Sequence, residues 1–240
     1  MISAILKLTK LMKIMKIRPM VQIHSAAMLI LLIFLFTGCK KNDNQDDIID
    51  GDGNIYETVM IGSQEWITTN LKTTTYNDGT PIPYVTLSAQ WKDLTTPGYC
   101  WFDNLAGNKE IFGGLYNWYA VNSGKLCPAG FHVPTREEWI TMRTFLGNDA
   151  GGAMKSVSGL WDSPNEGATN SSGFSALPGG MRTDTDAAEF LYTGEKSIFW
   201  SATQTGPSNA DTFYIYADQS SLDNYDYSKT LGASVRCIRN

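Results

Sequence analysis

From Ala26 to Phe36 the chain is apolar without a break, and no polar position gives that run a second face. At 11 residues it is well short of the ~20 that span a bilayer as a permanent helix. Further along, the pattern changes character. Ile55 to Ile61, then Gly62-Ser63, then Gln64 to Ile67, reads as a β-hairpin, and a two-residue turn opening on glycine suits type II′. From Thr69 to Pro97 the chain is rich in Thr, Pro and Asn-Asp-Gly and reads as loop. Leu115, Trp118, Tyr119 and Val121 follow Gly113-Gly114 at near-helical spacing and predict a short helix ending around Asn122 to Gly124. A second helix starts at Thr135-Arg136-Glu137-Glu138, whose spacing is a capping box: Thr135 accepts from the Glu138 N–H and Glu138 reaches back to the Thr135 N–H. Pro134 keeps Val133 out of the helix, Trp139, Met142 and Leu146 form its apolar stripe, and Gly147 is its stop.

Gly151 to Gly180 is full of Gly, Ser, Asn and Pro, with Trp161 and Phe174 as anchors to the core. Strand-like runs follow at 190–192, 198–202, 213–216 and 234–238. Two short helices packed on small antiparallel β-sheets, with long loops and no internal repeat, make an α+β fold.

Charge and cysteines change the picture at the N-terminus. Lys7, Lys10, Lys13, Lys16 and Arg18 precede the apolar run, and small residues close it, which describes an export signal over residues 1–38. Residues 39–53, including Lys40 to Gly53, are polar and charged and read as a flexible acidic tether, with the folded domain over 54–240. Within it, Asp50-Gly51-Asp52-Gly53-Asn54 looks at first like a calcium loop. Such a loop needs glycine at its sixth place and glutamate at its twelfth, where Ile55 and Ile61 stand, so a turn entering the first strand is expected. Without the leader, 14 basic residues face 24 acidic ones, a net charge of −10 that repels nucleic-acid backbones and excludes them as partners.

Beyond Cys39 three cysteines remain, enough for one intrachain bond. Pairing Cys127 with Cys237 is favoured, since a terminal strand gains most from a staple; Cys100 with Cys127 is the alternative. No CxxC spacing supports zinc.

Phe36-Thr37-Gly38-Cys39 resembles a bacterial lipobox, which implies cleavage before Cys39 and lipid (palmitate) on its thiol. Five motifs in order, "TVMIGSQEWITTNLKTTTYNDGTPIP", "GGLYNWYAVNSGKLCPAGFHVPTREEW", "GFSALPGGMR", "FWSAT" and "SVRCIRN", resemble the Fibrobacter succinogenes major paralogous domain of exported Bacteroidetes-type lipoproteins, over roughly Asn54 to Asn240. That resemblance implies a C-type lectin-like domain, similar to the formylglycine-generating enzymes in framework. It also implies an outer-membrane address, and Asp43, Asp46 and Asp47 behind Cys39 resemble a signal for the cell surface. The enzymes' activity depends on a pair of active-site cysteines, whereas Cys127 lies beside a helix cap and Cys237 in a framework strand. The lectins' calcium triplet survives in part at Ser163-Pro164-Asn165-Glu166, with serine where the first ligand belongs. No cofactor is expected, and calcium has no clear motif.

His132 sits alone, without the partner and orienting group that a general base needs, and the expectation is that its ring packs beside Phe131 and bonds nearby backbone. Glu57, Glu65, Asp103, Glu189 and Asp223 show no pairing by spacing and read as surface charge. Trp161, Tyr214, Tyr216, Tyr225 and Tyr227, with Asn224, are the candidate binding residues, because ring faces on a surface supply stacking area at little entropic loss. The expected function is a lipid-anchored, non-catalytic binding module of the cell envelope that contacts glycan or protein. An envelope structural protein without a discrete ligand ranks second, and a diverged formylglycine-generating-type oxidase third.

Overall fold

The computed structural model describes residues 47–240; the leader, Cys39 and the first part of the tether lie outside the described residues. Strands β1 (Ile48–Ile49) and β2 (Ile55–Tyr56) pair first, Ile49 opposite Ile55. The tether therefore ends earlier than the sequence suggests, and its last residues belong to the fold. The cause is Asp50, a buried carboxylate that accepts from the N–H groups of Asp52 and Asn54, the Asn54 amide and the Tyr56 hydroxyl at 2.6–3.0 Å. The turn expected there is present.

The hairpin of β3 (Thr58–Ile61) and β4 (Gln64–Ile67) forms around Gly62, which takes a φ of 62° that suits glycine. Residues 69–97 contain one helical turn, α1 (Ser88–Trp91), that composition did not reveal. Then come β5 (Tyr99–Cys100), α2 (Asn108–Phe112), β6 (Leu115–Tyr116) and α3 (Trp118–Val121). The first predicted helix is thus half wrong. Leu115 and Tyr116 are strand, and the helix begins only where the Asn117 side chain accepts from Ala120 N–H as its cap. After β7 (Phe131–His132), α4 (Arg136–Leu146) carries the capping box as expected and ends at Gly147, with Trp139 and Met142 buried. The remaining elements are α5 (Ala150–Met154), β8 (Gly179–Arg182), β9 (Phe190–Thr193), β10 (Lys196–Gln204), β11 (Asn209–Tyr216), β12 (Asp223–Ser228) and β13 (Ile238–Arg239). The class is α+β, with several small antiparallel sheets and more short helices than the two expected.

The three-stranded sheet β10-β11-β12 divides the core. Strand alternation sends Phe199, Phe213 and Ile215 to one side, where Trp139 stacks on Phe213 at 5.2 Å and on Phe199 at 5.5 Å, with Trp66 and Phe174 against it. Ile198, Trp200 and Ala210 go to the other, against Tyr116, Trp118, Val235 and Cys237.

The terminal stretch was expected to be a strand over 234–238, but only β13 is one. Residues 232–234 instead make single bridges in turn: Gly232 to β8, Ala233 to β6 and Ser234 to β10. Val235 and Cys237 then accept from the Leu71 and Ile67 N–H groups, and β13 inserts between β4 and β7. One segment thereby joins most of the sheets. Arg236 within it is wholly buried, donating from Nε to Asn70 Oδ1 and from its two NH groups to the carbonyls of Ile67, Phe174 and Ser175, at 2.7–3.0 Å. Cys237 forms a disulfide with Cys127, as favoured from sequence, and Cys100 is left as a buried free thiol.

Replacing Cys127 and Cys237 together by alanine releases a 110-residue loop. The expected loss is roughly 3–5 kcal/mol in urea unfolding. An unchanged unfolding midpoint would show that the buried segment is held by its hydrogen bonds alone.

Candidate functional site

Two places in the sequence invited chemistry: the stretch from Cys127 to Trp139, and the tyrosines of the last third. The structure settles their arrangement differently.

In the first, Glu138 serves two neighbours. Its Oε2 accepts from Thr135 N–H and Oγ1 at 2.8 and 3.0 Å, while His132 Nε2 lies 2.9 and 3.0 Å from its two oxygens. His132 Nδ1 lies 2.7 Å from Asn240 Oδ1. The imidazole thus bonds two side chains rather than the backbone expected for it, because β7 pairs with β13 and brings the C-terminal residue alongside. Cys127 is closed in the disulfide, so it offers no free thiol beside the ring. The cluster fastens the entrance of α4 to the chain end. Nearby Asp211 is fully buried, its Oδ1 accepting from Asn224 Nδ2, and burial pushes its carboxyl up.

Trp161 does not join the tyrosines. It is buried, donating from Nε1 to Ala176 O at 3.0 Å, with Lys155 Nζ 5.4 Å from its ring. At Ser163-Pro164-Asn165-Glu166 the Ser163–Pro164 peptide is cis, Asn165 Nδ2 donates to Ser156 O and Glu166 N–H donates to Ala217 O. Among the described residues, no group of three His, Cys, Asp or Glu side chains is placed to hold a metal ion.

The tyrosines do converge. In the β10-β11-β12 register Lys196 is opposite Tyr216, Ile198 opposite Tyr214, Thr212 opposite Tyr225 and Ala210 opposite Tyr227. Period-two alternation puts all of these on one face of the sheet. Tyr214 and Tyr216 meet edge to face at 5.5 Å, as do Tyr225 and Tyr227 at 5.1 Å. Tyr192 arrives from β9, with a φ of 67° that side chains rarely tolerate.

In the middle lies a residue the sequence reading passed over. Lys196 Nζ sits 4.2 Å from the ring centre of Tyr214, 4.5 Å from Tyr216, 5.5 Å from Tyr227 and 5.8 Å from Tyr192. Among the described residues its hydrogen bond runs to Tyr227 Oη at 3.3 Å, and no carboxylate of those residues is within ion-pair distance. Lys196 itself is 2% exposed, while Tyr225 is 60% and Tyr192 38% exposed. Burial pulls the Lys196 ammonium down to about 8, and pushes the Tyr214 and Tyr216 hydroxyls up and that of Tyr227 up to about 12. Sequence gave no signal for Lys196, because Gly194-Glu195-Lys196 looks like an ordinary charged turn.

Rings with exposed edges and hydroxyls surround one cation, an arrangement that offers stacking area, acceptors and a donor.

A family model described as the Fibrobacter succinogenes major domain matches residues 59–239, and the chain belongs to that family. No curated protein matches the chain, and neither does any solved structure.

Because burial lowers the folded-state pKa of Lys196 from 10.5 to about 8, the unfolded chain holds this proton more tightly. Stability therefore rises with pH between those two values, and below about 8 the charged lysine costs stability. Lys196→Met is expected to be the more stable protein at pH 7 and to lack that rise, a difference of roughly 2 kcal/mol between pH 7 and pH 9.5. Urea unfolding of both proteins at pH 7 and pH 9.5 measures it; parallel curves would contradict the burial argument.

Proposed function

We propose that this member of the Fibrobacter succinogenes major domain family is a lipid-anchored binding module of the cell envelope, with a C-type lectin-like fold, that contacts glycan through its tyrosine face. The observation that carries the reading is the gathering of Tyr192, Tyr214, Tyr216, Tyr225 and Tyr227 on one side of the β10-β11-β12 sheet. Tyrosine pairs suit sugars: a ring face packs against the C–H face of a pyranose and the hydroxyl serves its polar rim. Supporting the lectin-like class are the short helices, the small antiparallel sheets and a disulfide that ties the chain end to the entrance of α4.

A non-catalytic role draws support from the cysteines. Oxidase chemistry of the formylglycine-generating type needs two reactive thiols. Here Cys127 and Cys237 are bonded to each other, and burial pushes the Cys100 thiol up to about 12. A thiol so far from ionisation is a poor nucleophile at neutral pH.

The anchor rests on sequence alone, through the export signal and Cys39 in its lipobox. Its address in this reading is the outer membrane, on the cell-surface side.

Two measurements test the proposal. On a glycan array, Tyr216→Ala and Tyr225→Ala are each expected to weaken the strongest signal of the wild-type protein about fivefold to a hundredfold, on the scale of a lost stacking ring; wild-type protein that binds no glycan would remove the reading. For the anchor, Cys39→Ser is expected to abolish incorporation of labelled palmitate and to move the protein from the membrane to the soluble fraction.

A further inference from the structure

The buried cations of this domain differ in one respect. Arg236 has four acceptors, and Arg182 has three carbonyls, those of Ala188, Val85 and Thr86, at 2.7–3.3 Å. Lys155 Nζ donates to the carbonyls of Tyr216, Ala217 and Gln219 at 2.9–3.2 Å, and Lys229 Nζ to Pro207 O at 2.8 Å. The fold therefore saturates charged donors that it buries, or meets them with a short bond to a carbonyl. Lys196 is the exception, with three N–H donors and one long contact to a hydroxyl. Ring faces attract the ammonium but take up its charge far less than an oxygen anion does. A buried donor left short of acceptors is costly and is retained where function needs it.

We propose that Lys196 is an anion-receiving site within the tyrosine face, and that the group it takes is the carboxylate of an acidic sugar such as a uronate. The inference rests on the glycan-binding reading above and narrows its ligand class. The carboxylate supplies the acceptor the ammonium lacks, while Tyr214, Tyr216 and Tyr225 flank the sugar ring. Tyr192, 38% exposed, is the most exposed of the four rings facing the ammonium, and exposed side chains change rotamer in picoseconds to nanoseconds, so a monosaccharide carboxylate reaches Nζ by its displacement.

The charged surroundings set the selectivity. Facing Lys196 are Tyr192 from β9, Tyr214 and Tyr216 from β11, and Tyr227 from β12, with Tyr225 beside it. Around the rim, Asp223 acts on Tyr214, and Asp218 and Glu195 act on Tyr216. Those carboxylates repel a polyanion, so the ligand carries one negative charge at the lysine and neutral hydroxyls elsewhere, which the rim accepts from.

The test uses sodium glucuronate and glucose as paired probes, titrated into wild-type protein, Lys196→Met and Tyr216→Ala and followed by NMR of the tyrosine rings. Wild-type protein is expected to bind glucuronate about ten- to a hundredfold more tightly than glucose, the range of a charge-assisted hydrogen bond. Lys196→Met erases that preference while keeping the response to glucose, and Tyr216→Ala weakens both. The preference fades as pH rises through about 8, where Lys196 discharges, whereas an ordinary surface lysine would hold it to beyond 10. Equal binding of the two sugars to wild-type protein, or a preference that survives Lys196→Met, overturns the inference and leaves the tyrosine-face reading standing. No response to either sugar overturns both.

Discussion

A buried guanidinium that binds carbonyl oxygens from separate loops is the constraint on which the rest depends. Arg236 collects the Ile67, Phe174 and Ser175 carbonyls and Asn70, from two segments far from each other and from Arg236 in the chain. Asn70 in turn donates to Phe112 O and Ser234 Oγ, extending the network to α2 and back to the terminal segment. Burial lowers Arg236 to about 9, so it stays a cation at neutral pH, and its ring neighbours Phe174 and Phe199 lie 4.4 and 5.7 Å away. In a chain whose sheets are mostly two strands wide, loops have few ladder bonds to hold them. A charged, planar donor with five N–H groups satisfies several loop carbonyls at once, which no apolar residue does.

From that constraint the architecture follows. The Arg236 segment has to run through the middle, so it meets β8, β6 and β10 by single bridges before it ends between β4 and β7. The Cys127 disulfide and the His132 to Asn240 contact then fasten the last residues at the mouth of α4. With the chain end fixed, the β10-β11-β12 sheet keeps one face on the Trp139 stack. The other face is free, beyond Ile198 and Trp200, to carry tyrosines outward. The tyrosine face is thus the part of a core sheet that the core does not cover.

How much of this could be read in advance varied with the range of the interaction. The capping box at Thr135 and Glu138, the Gly147 stop and the Gly62 turn depend on residues within a few positions, and each stands as expected. The Leu115 helix failed because its apolar spacing serves strand and helix alike, and the pairing with β5 decided between them. The tether was drawn too long because Asp50 looks like a solvated charge until Tyr56 and Asn54 close on it. His132 was expected to bond nearby backbone, and it bonds Glu138 and Asn240 instead, the latter 108 positions away.

The sequence by itself determined the capped entrance and the Gly147 stop of α4, the Gly62 turn and the α+β class, and it favoured the disulfide pairing that the structure holds. Only tertiary structure decided between the core and the binding reading of Trp161, in favour of the core, and placed Lys196 among the tyrosines. The reason is physical. Period and capping are written within one or two turns of chain, whereas the face a residue shares with others depends on strand register, and one step of register moves every side chain to the opposite face.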